Sequence, residues 1–542
     1  MRLRRRILLG IAATALVLTA CGGPSTQSAS SKGAPEGVFR RGVGANPDSL
    51  DPHKAQGTWE NDVIGDMFVG LFTEDAAAKP VPGVAETWKV SDDQLTWTFQ
   101  LKHSNWSDGT PLTAKDFEYS LQRMLNPKTA GAVYATVLSP LRNAEAVIAG
   151  KLPPEQLGVK AIDDYTLEVK LEHPAPYLPG LLKHYTAFPV PKQAIDKFGD
   201  KWTRPENIVV NGPYKVAEWR SGDFIRLVKN EAFADAASVC FKEVVIYTQS
   251  DHDAMVRRAQ ASDIDMNNSF PTGQLEETKK KLPGWPRVSP MMATTYVAAN
   301  ISKAPFNDVR VRKALALAMD REYITQDILK GGEIPAYGFV PKGLNGYPNP
   351  AEFSWKSTPR ADRLKEALKL LQEAGYGPNK PLSFEYLFRA SGNNPRIAPV
   401  LQDNWKEIAP WVDAQIRQVE TKDLYKQLQS KDFILSDAGW VADYNDAYNF
   451  LYLMDTRTGA MNYGGYANKA YDALIDKSNL ELDPAKRADI LHQADEMMLA
   501  DTAVLPLLVR VTQDIVSPDI TGYEDNAEDI HRTRYMCRKK AG

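Results

Sequence analysis

The chain has 542 residues, which at about 150 residues per domain corresponds to two to four domains. With 43% hydrophobic and 25% charged residues it has the composition of a globular protein rather than a disordered one. The formal net charge is -3, from 65 Lys+Arg against 68 Asp+Glu. Such a balance gives no strongly basic face, so we expect no nucleic-acid partner.

The N-terminal segment predicts export and lipid anchoring. Four arginines lie within the first six residues and the apolar run of residues 7–20 follows them, which is the order found in signal peptides. The run ends in Leu18-Thr19-Ala20-Cys21-Gly22, which resembles the lipobox of bacterial lipoproteins. We therefore expect residues 1–21 to be a lipoprotein signal peptide with the lipid on Cys21. The alternative is an ordinary signal peptide with a chance cysteine.

Residues 22–37 are rich in Ser, Gly, Ala and Pro and show no periodicity, which is typical of a flexible tether. No later segment approaches 18 consecutive apolar residues. The sequence therefore predicts a protein on the periplasmic or extracytoplasmic face, lipid-anchored to a bacterial membrane.

Two cysteines remain if Cys21 carries lipid. Cys240 and Cys537 would meet an oxidising or thiol-poor environment and could form a disulfide. Both lie in runs that look like strands. The alternative is two buried free thiols.

The first half of the chain mixes strands and helices. Residues 95–101 and 165–171 alternate strictly between apolar and polar side chains, which predicts two half-buried strands. Thr113 and Asp116 stand at capping-box spacing before an apolar-periodic stretch that reaches about Leu125. This spacing predicts a helix directly after the first strand and its turn.

The second half is predicted to be richer in helices. A helix should follow Asn307-Asp308 and end at Gly331-Gly332, and another should span residues 361–374 and end at Gly375. We see no internal repeat and no long linker after residue 37. The sequence thus predicts a mixed α/β protein whose domains pack against one another.

The sequence shows no catalytic or metal-binding motif. The seven histidines are scattered, and H-E-x-x-H, paired-cysteine, Walker-type and G-x-S-x-G patterns are all missing. We therefore expect no metal, no cofactor and no enzymatic activity. A protein of this kind more often binds a molecule than transforms it.

Several motifs, spread from about residue 38 to the C-terminus, resemble the oligopeptide-binding proteins of ABC importers, extracellular solute-binding protein family 5. They occur in the order of that family. The motifs are Ser49-Leu50-Asp51-Pro52-His53-Lys54, Pro82-Gly83-Val84-Ala85-Glu86-Thr87-Trp88, Trp106-Ser107-Asp108-Gly109-Thr110-Pro111, Asn211-Gly212-Pro213-Tyr214, Pro305-Phe306-Asn307-Asp308-Val309-Arg310, Pro335-Ala336-Tyr337-Gly338 and Gly439-Trp440-Val441-Ala442-Asp443-Tyr444.

The resemblance implies an α/β fold of the type II periplasmic-binding-protein kind, with two lobes built from three domains around a ligand cleft and a hinge. It implies that the lobes close over an oligopeptide and present it to the transmembrane subunits of an ABC permease. We expect a monomer. The implied boundaries are 38–68, 192–292 and 510–542 for domain I, 69–191 for domain II and 293–509 for domain III.

The resemblance also assigns ligand-binding residues. In relatives that bind peptides, an extended peptide pairs with two protein segments as an added strand, and the matching segments are Gln56-Gly57-Thr58 and Ala438-Gly439-Trp440. Asp443 matches the aspartate that takes the α-ammonium of the peptide. Tyr134 matches a tyrosine of the cleft.

The departures from the family pattern concern the other end of the ligand. Asp437 stands where relatives carry an arginine, and Asn394 stands where they carry a histidine, and both of those basic residues neutralise the C-terminal carboxylate. We expect Asp437 to repel a carboxylate, with Arg389, Arg396 or Lys330 as possible substitutes. Recognition of another amine-bearing or cationic solute, such as a cell-wall or modified peptide, is therefore the alternative.

Overall fold

The computed structural model describes residues 36–55, 57–129, 134–271 and 273–539, and Cys21, Gln56 and the predicted signal peptide lie outside them. Two lobes build the molecule. The first lobe contains a seven-stranded and a four-stranded sheet, and the second lobe contains a six-stranded sheet. Each lobe has its own large hydrophobic core.

The seven-stranded sheet joins distant parts of the chain. Its strand Val38–Gly42 pairs in parallel with Glu243–Tyr247 and with Met266–Asn267, and the C-terminal segment adds Asp514–Val516. In sheet order the strands are Tyr214–Arg220, Phe224–Lys229, Glu243–Tyr247, Val38–Gly42, Met266–Asn267, Asp514–Val516 and Pro286–Arg287.

The four-stranded antiparallel sheet confirms both alternating segments. Trp97 and Phe99 are buried on one strand, and Leu167 and Val169 are buried on its neighbour. In sheet order the strands are Ala85–Val90, Thr96–Leu101, Thr166–Lys170 and Val159–Ala161. The helix Ala114–Leu125 is also confirmed, since Asp116 accepts a hydrogen bond of 2.7 Å from the backbone nitrogen of Thr113 in a capping box.

The six-stranded sheet forms the centre of the second lobe. In sheet order its strands are Ile334–Pro335, Leu505–Val511, Pro290–Ala299, Leu435–Val441, Leu382–Arg389 and Val412–Val419. Leu435–Val441 pairs along its whole length with Pro290–Ala299. Its pairing with Leu382–Arg389 stops after Ser436. The edge from Asp437 to Val441 therefore has no strand partner on that side within the described residues.

The remaining elements are short strands and helices. The short strands are Phe72–Glu74, Pro80–Pro82, Ser104–Asn105, Pro111–Leu112, Ile520–Thr521 and Cys537–Arg538. The α-helices are Thr58–Met67, Ala114–Leu125, Ala144–Ile148, Leu178–Leu182, Lys192–Phe198, His252–Gln260, Leu275–Lys281, Val309–Ala318, Arg321–Tyr323, Arg360–Glu373, Asn394–Lys406, Thr421–Gln429, Tyr448–Leu451, Lys469–Leu480 and Pro484–Ala500. In the described part of the chain, no helix has the length and apolar character that a bilayer crossing requires.

Two chain crossings connect the lobes. One runs from Arg287 to Pro290 and the other from Val511 to Asp514. They lie side by side, because the backbone nitrogen of Thr512 donates to the carbonyl oxygen of Ser289 at 2.8 Å. Paired crossings of this kind form a hinge. The division of the chain into domains I, II and III remains a prediction.

The helix predicted between Asp308 and Gly331 is wrong in its extent. Val309–Ala318 is helical, but the helix ends there and Asp320 begins a new one by accepting a hydrogen bond of 3.1 Å from the backbone nitrogen of Tyr323. A π-helical segment, Ile324–Leu329, follows. The later helix is confirmed as Arg360–Glu373.

Cys240 and Cys537 form a disulfide across 297 residues of sequence, with their Cα atoms 5.4 Å apart. The strand expected at Cys240 is wrong, because that residue lies in the loop before Glu243–Tyr247. Cys537 does lie in a short strand, Cys537–Arg538, which pairs with Ile520–Thr521.

Candidate functional site

A cavity of about 2140 Å³ lies between the two lobes. Tyr134, His173 and Tyr177 line it from the first lobe, while Gly439 and Asp443 line it from the second. Pockets for small molecules typically measure roughly 300–1,000 Å³. The cavity is therefore large enough for a ligand of several residues.

Aromatic rings that line this cavity bring the two lobes into contact. Tyr177 of the first lobe stacks on Tyr444 of the second at a centroid distance of 4.9 Å and lies 5.4 Å from Tyr448. Tyr444 belongs to the hydrophobic core of the first lobe, although Ala442, two residues earlier in the chain, belongs to that of the second. The two lobes are therefore in direct contact at these rings.

Asp443 places a carboxylate in the wall of the cavity. Burial raises its pKa to about 6, against a smaller opposing effect of a hydrogen bond with Asn449. Among the described residues no basic side chain lies within ion-pair distance of it. The carboxylate is thus desolvated by the protein without being neutralised, which favours the approach of a cation.

Trp440 and Asn449 hold the segment around Asp443 in place. The Trp440 indole Nε1 donates to Asn449 Oδ1 at 2.8 Å, and the backbone nitrogen of Asp443 donates to the same oxygen at 3.2 Å. The ring of Trp440 packs edge-on against Tyr452, with 6.1 Å between centroids. One buried amide therefore fixes both the aromatic wall and the carboxylate.

The unpaired strand edge faces the same cavity. Gly439 lies opposite Thr295 in the six-stranded sheet, and both line the cavity. A Cβ atom added to Gly439 would meet nothing closer than 3.6 Å. A side chain at this position would therefore meet no close contact.

Asp437 corrects the expectation of a carboxylate that repels the ligand. It is buried, and the Arg389 guanidinium donates to it at 2.7 Å from Nη2 and at 3.0 Å from Nε. Burial opposes the charge on Arg389, but the hydrogen bonds and attraction of Asp437 outweigh it and raise the Arg389 pKa. Arg389 also donates to the Tyr425 hydroxyl at 3.1 Å. The pair neutralises itself, so Arg389 does not stand free for a ligand carboxylate.

The other predicted site residues divide into two groups. Tyr134 and Asn394 line the cavity, and the Asn394 amide donates to the Ser391 carbonyl at 3.2 Å. Gly57 and Thr58 do not line it. They begin the helix Thr58–Met67, where the Gly57 backbone nitrogen donates to Glu60 Oε2 at 2.8 Å.

One carboxylate–histidine group lies outside the cavity, within the part of the chain that the structure describes. Asp514, Asp529 and His531 hold possible ligand atoms within 4.8 Å of one another. The Tyr523 hydroxyl donates to Asp514 at 3.0 Å, and burial together with the charge of Asp529 raises the Asp514 pKa. A proton retained on this carboxyl suffices to explain the close approach of the two acids.

Sequence reasoning missed Asn449 and Arg510. Asn449 belongs to no motif, and only the hydrogen bonds to Trp440 and Asp443 reveal its part. Arg510 lies on the strand Leu505–Val511, in an apolar stretch that gives no local sign of a ligand, and it lines the cavity.

Comparison with known proteins identifies the family. The model of the bacterial extracellular solute-binding proteins, family 5, matches residues 79–462. The periplasmic oligopeptide-binding protein OppA of Salmonella typhimurium is 38% identical over 499 residues, covering 91% of each chain.

Solved structures agree with this assignment. The unliganded open form of the periplasmic murein tripeptide-binding protein MppA superposes with a TM-score of 0.83 at 34% identity, covering 93% of this chain and 98% of that one. The complex of Haemophilus influenzae OppA with the peptide RPPGFSPFR gives 0.76 at 32% identity, covering 94% and 100%. The chain therefore belongs to the bacterial extracellular solute-binding proteins, family 5, which are binding proteins rather than enzymes, and it has the two-lobed fold of type II periplasmic binding proteins.

Proposed function

We propose that this protein is a lipid-anchored extracytoplasmic receptor that captures oligopeptides and delivers them to the permease of an ABC importer. The proposal is supported by relatives named as periplasmic oligopeptide-binding proteins and by the size of the cavity between the lobes. The lipid on Cys21 and the tether of residues 22–37 belong to the proposal.

The carboxylate of Asp443 carries this proposal. It is desolvated in the cavity wall and has no ion-pair partner among the described residues. The α-ammonium of a peptide would restore the compensation that water no longer gives, and inside a closed cleft such a pair is screened far less than at a surface. The peptide would therefore bind with its N-terminus at Asp443.

The unpaired edge of the strand Leu435–Val441 supplies the second contact. From Asp437 to Val441 this edge has no strand partner among the described residues, and it faces the cavity at Gly439. An extended peptide would add to it as a strand through main-chain hydrogen bonds, which read no particular sequence. The cavity volume beyond that edge would accept varied side chains. Broad sequence tolerance follows.

The hinge gives the receptor two states. Because two adjacent crossings connect the lobes, rotation about Ser289 and Thr512 would open and close the cavity without unfolding either core. The closed, loaded form would be the one that the transmembrane subunits of the permease bind. We propose that the receptor acts as a monomer.

A cell-wall or modified peptide is the second candidate ligand. The structural similarity to a murein tripeptide-binding protein favours it. Such a ligand would share an amine with ordinary peptides, so Asp443 would serve both. The two candidates differ in breadth: a general carrier would hold many peptides and a dedicated one a single species.

The test of the proposal compares Asp443→Asn with the parent protein. Trialanine and tetra-alanine serve as probes in calorimetric titrations, and we expect the substitution to weaken binding about 10- to 100-fold, because it removes a charge-assisted contact. Asp432→Asn is the matched control, since Asp432 is an exposed aspartate of the same lobe that does not line the cavity. Equal affinity of parent and Asp443→Asn would refute the proposed amine contact.

Native mass spectrometry of the purified protein distinguishes the two candidate ligands. A ladder of co-purified peptide masses would support the general oligopeptide receptor. A single recurrent mass would support the dedicated receptor. Both candidates would be overturned if neither trialanine nor tetra-alanine bound and no peptide co-purified with the protein.

A further inference from the structure

Among the residues that the structure describes, four arginines line the cavity, and three of them already have a partner. Arg389 pairs with Asp437, and Arg457 pairs with Asp455 and, at 2.7 Å, with Asp476. Arg396 donates to the carbonyl oxygen of Ile328. Among the described residues, no hydrogen bond or ion pair holds the guanidinium of Arg510.

The strand that carries Arg510 aims its side chain into the cavity. Leu508 and Arg510 are two residues apart on Leu505–Val511, so their side chains project from the same face of the sheet, and both line the cavity. Leu508 lies opposite Thr295, which lies opposite Gly439 on the next strand. Arg510 and the unpaired strand edge thus belong to one wall.

Arg510 is exposed to solvent and lines the cavity. The surrounding protein desolvates the guanidinium and the charge of Arg389 repels it, and both effects lower the Arg510 pKa. Glu333 attracts it from a distance but lies beyond ion-pair range, and its carboxylate accepts a hydrogen bond from the Gly331 backbone nitrogen at 2.9 Å. The site therefore carries an uncompensated positive charge.

The Arg389–Asp437 pair explains why Arg510 stands alone. Asp437 is 1% exposed and is saturated by Arg389, so neither residue can compensate Arg510 or receive a ligand anion without losing its partner. Among the described arginines of the cavity, Arg510 is the one whose guanidinium has neither an ion-pair nor a hydrogen-bond partner, so a carboxylate can bind it without displacing one. A guanidinium suits this ligand, because its planar fork donates two parallel hydrogen bonds to a carboxylate.

We propose that Arg510 is the carboxylate-binding residue of the cleft and that it selects ligands bearing a carboxylate at some distance from the amine held by Asp443. This inference rests on the proposed function as a peptide receptor and adds to it a second charged contact. The carboxylate has two possible sources in a peptide, the C-terminus and an acidic side chain.

The experiment measures three probes by calorimetric titration on the full-length purified protein: trialanine as the free acid, trialanine amide, and the amide of Ala-Glu-Ala. For the parent we expect the free acid or the glutamyl amide to bind about 10- to 100-fold more tightly than trialanine amide. In Arg510→Gln we expect that preference to fall to within about twofold, while the affinity for trialanine amide stays the same. Arg510→Lys should retain part of the preference, because it keeps the charge without the fork.

The source of the carboxylate follows from which preference is lost. Loss of the free-acid preference assigns Arg510 to the C-terminus, and loss of the glutamyl preference assigns it to an acidic side chain; either loss supports the proposal. Arg417→Gln is the matched control, an arginine of the same sheet that pairs with Glu385 at 3.0 Å outside the cavity.

Two outcomes would overturn the inference. One is a parent-like carboxylate preference in Arg510→Gln, and the other is loss of that preference in Arg396→Gln instead. Neither outcome would contradict the proposed function, because binding of trialanine amide depends on Asp443 and not on Arg510. If no probe binds the parent, the proposed function itself fails.

Discussion

At the scale of single residues, the site contains charged side chains that the fold partly desolvates and that have no ion-pair partner among the described residues. Asp443 is a carboxylate whose pKa is raised to about 6 by burial, with Asn449 as its hydrogen-bond partner. In the free protein this group is protonated below about pH 6. An ammonium ion bound beside it would favour the ionised form and lower the pKa.

We predict that peptide affinity depends on pH through Asp443. The bound state has the lower pKa, so affinity should be greatest near pH 7 and should fall up to tenfold per pH unit as the pH decreases below 6, until the carboxyl of the complex is itself protonated. Above about pH 8 affinity should also fall, because the α-ammonium of the peptide loses its proton there. Titration of trialanine at several pH values measures this dependence.

Asp443→Asn should abolish the fall in affinity at acidic pH. This control is needed because His173 also lines the cavity and remains in the variant. A pH profile of the variant parallel to that of the parent would assign the dependence to another group.

The residues of the site differed in how far the sequence could predict them. Gly439, Trp440 and Asp443 lie within five residues of one another, so a linear motif contains them. The Arg389–Asp437 pair joins residues 48 apart, and Asp437 alone suggested a repulsive carboxylate. Only three-dimensional proximity shows that an arginine already neutralises it.

At the scale of elements, the sequence predicted correctly those helices and strands whose signals come from residues close together in the chain. The Thr113 capping box and the two alternating strands are such cases. The predicted extent of the helix after Asp308 was wrong because the apolar periodicity continues past Ala318, although Asp320 is the N-cap of a new helix. The strand predicted at Cys240 was wrong because a cysteine between two apolar residues is as compatible with a buried loop as with a strand.

The Arg389–Asp437 side-chain pair follows directly after the last backbone pairing between two strands. The strands Leu382–Arg389 and Leu435–Val441 pair only as far as Ser436, and the next residue binds Arg389 through its side chain. We predict that Asp437→Leu lowers the free energy of unfolding by about 2–4 kcal/mol, because it leaves a largely buried guanidinium unpaired. Urea unfolding of parent and variant measures the change.

Adding Arg389→Met to Asp437→Leu should recover part of that loss, since two apolar side chains replace the pair. The exposed Arg417–Glu385 pair of the same sheet is the control, and Glu385→Gln should leave stability close to that of the parent. If the double variant lost as much free energy of unfolding as Asp437→Leu and Arg389→Met lose together as single variants, the two residues would not be coupled.

At the scale of the whole molecule, the chain leaves the first lobe and returns to it, so an early strand and a late strand lie in one sheet. Val38–Gly42 and Asp514–Val516 lie on either side of Met266–Asn267, and the Cys240–Cys537 disulfide closes the C-terminal segment onto the same lobe. Within the described part of the chain, the two crossings and contacts such as Tyr177 with Tyr444 attach the second lobe to the first. The link that closes the first lobe is thus independent of the cavity.

We predict that Cys240→Ser with Cys537→Ser lowers the free energy of unfolding by about 2–5 kcal/mol, because the unfolded chain gains freedom when a long loop is no longer closed. Peptide affinity should stay at the parent value, since neither cysteine lines the cavity. Urea unfolding and trialanine titration are the two measurements.

Peptide mapping without reductant tests the bond itself. It should recover residues 240 and 537 in one cross-linked fragment, and recovery of two alkylatable thiols would contradict the disulfide.

The unpaired edge of Leu435–Val441 has a further consequence for which chains can approach it. On an open surface such an edge would template aggregation, because any neighbouring sheet could continue it. Here the edge lies in the wall of the cavity between the two lobes. A neighbouring sheet would have to enter that cavity to continue the edge, whereas an extended peptide needs only the width of one strand, about 5 Å. We therefore expect the cleft to admit an extended peptide and to exclude a compact hairpin of the same sequence.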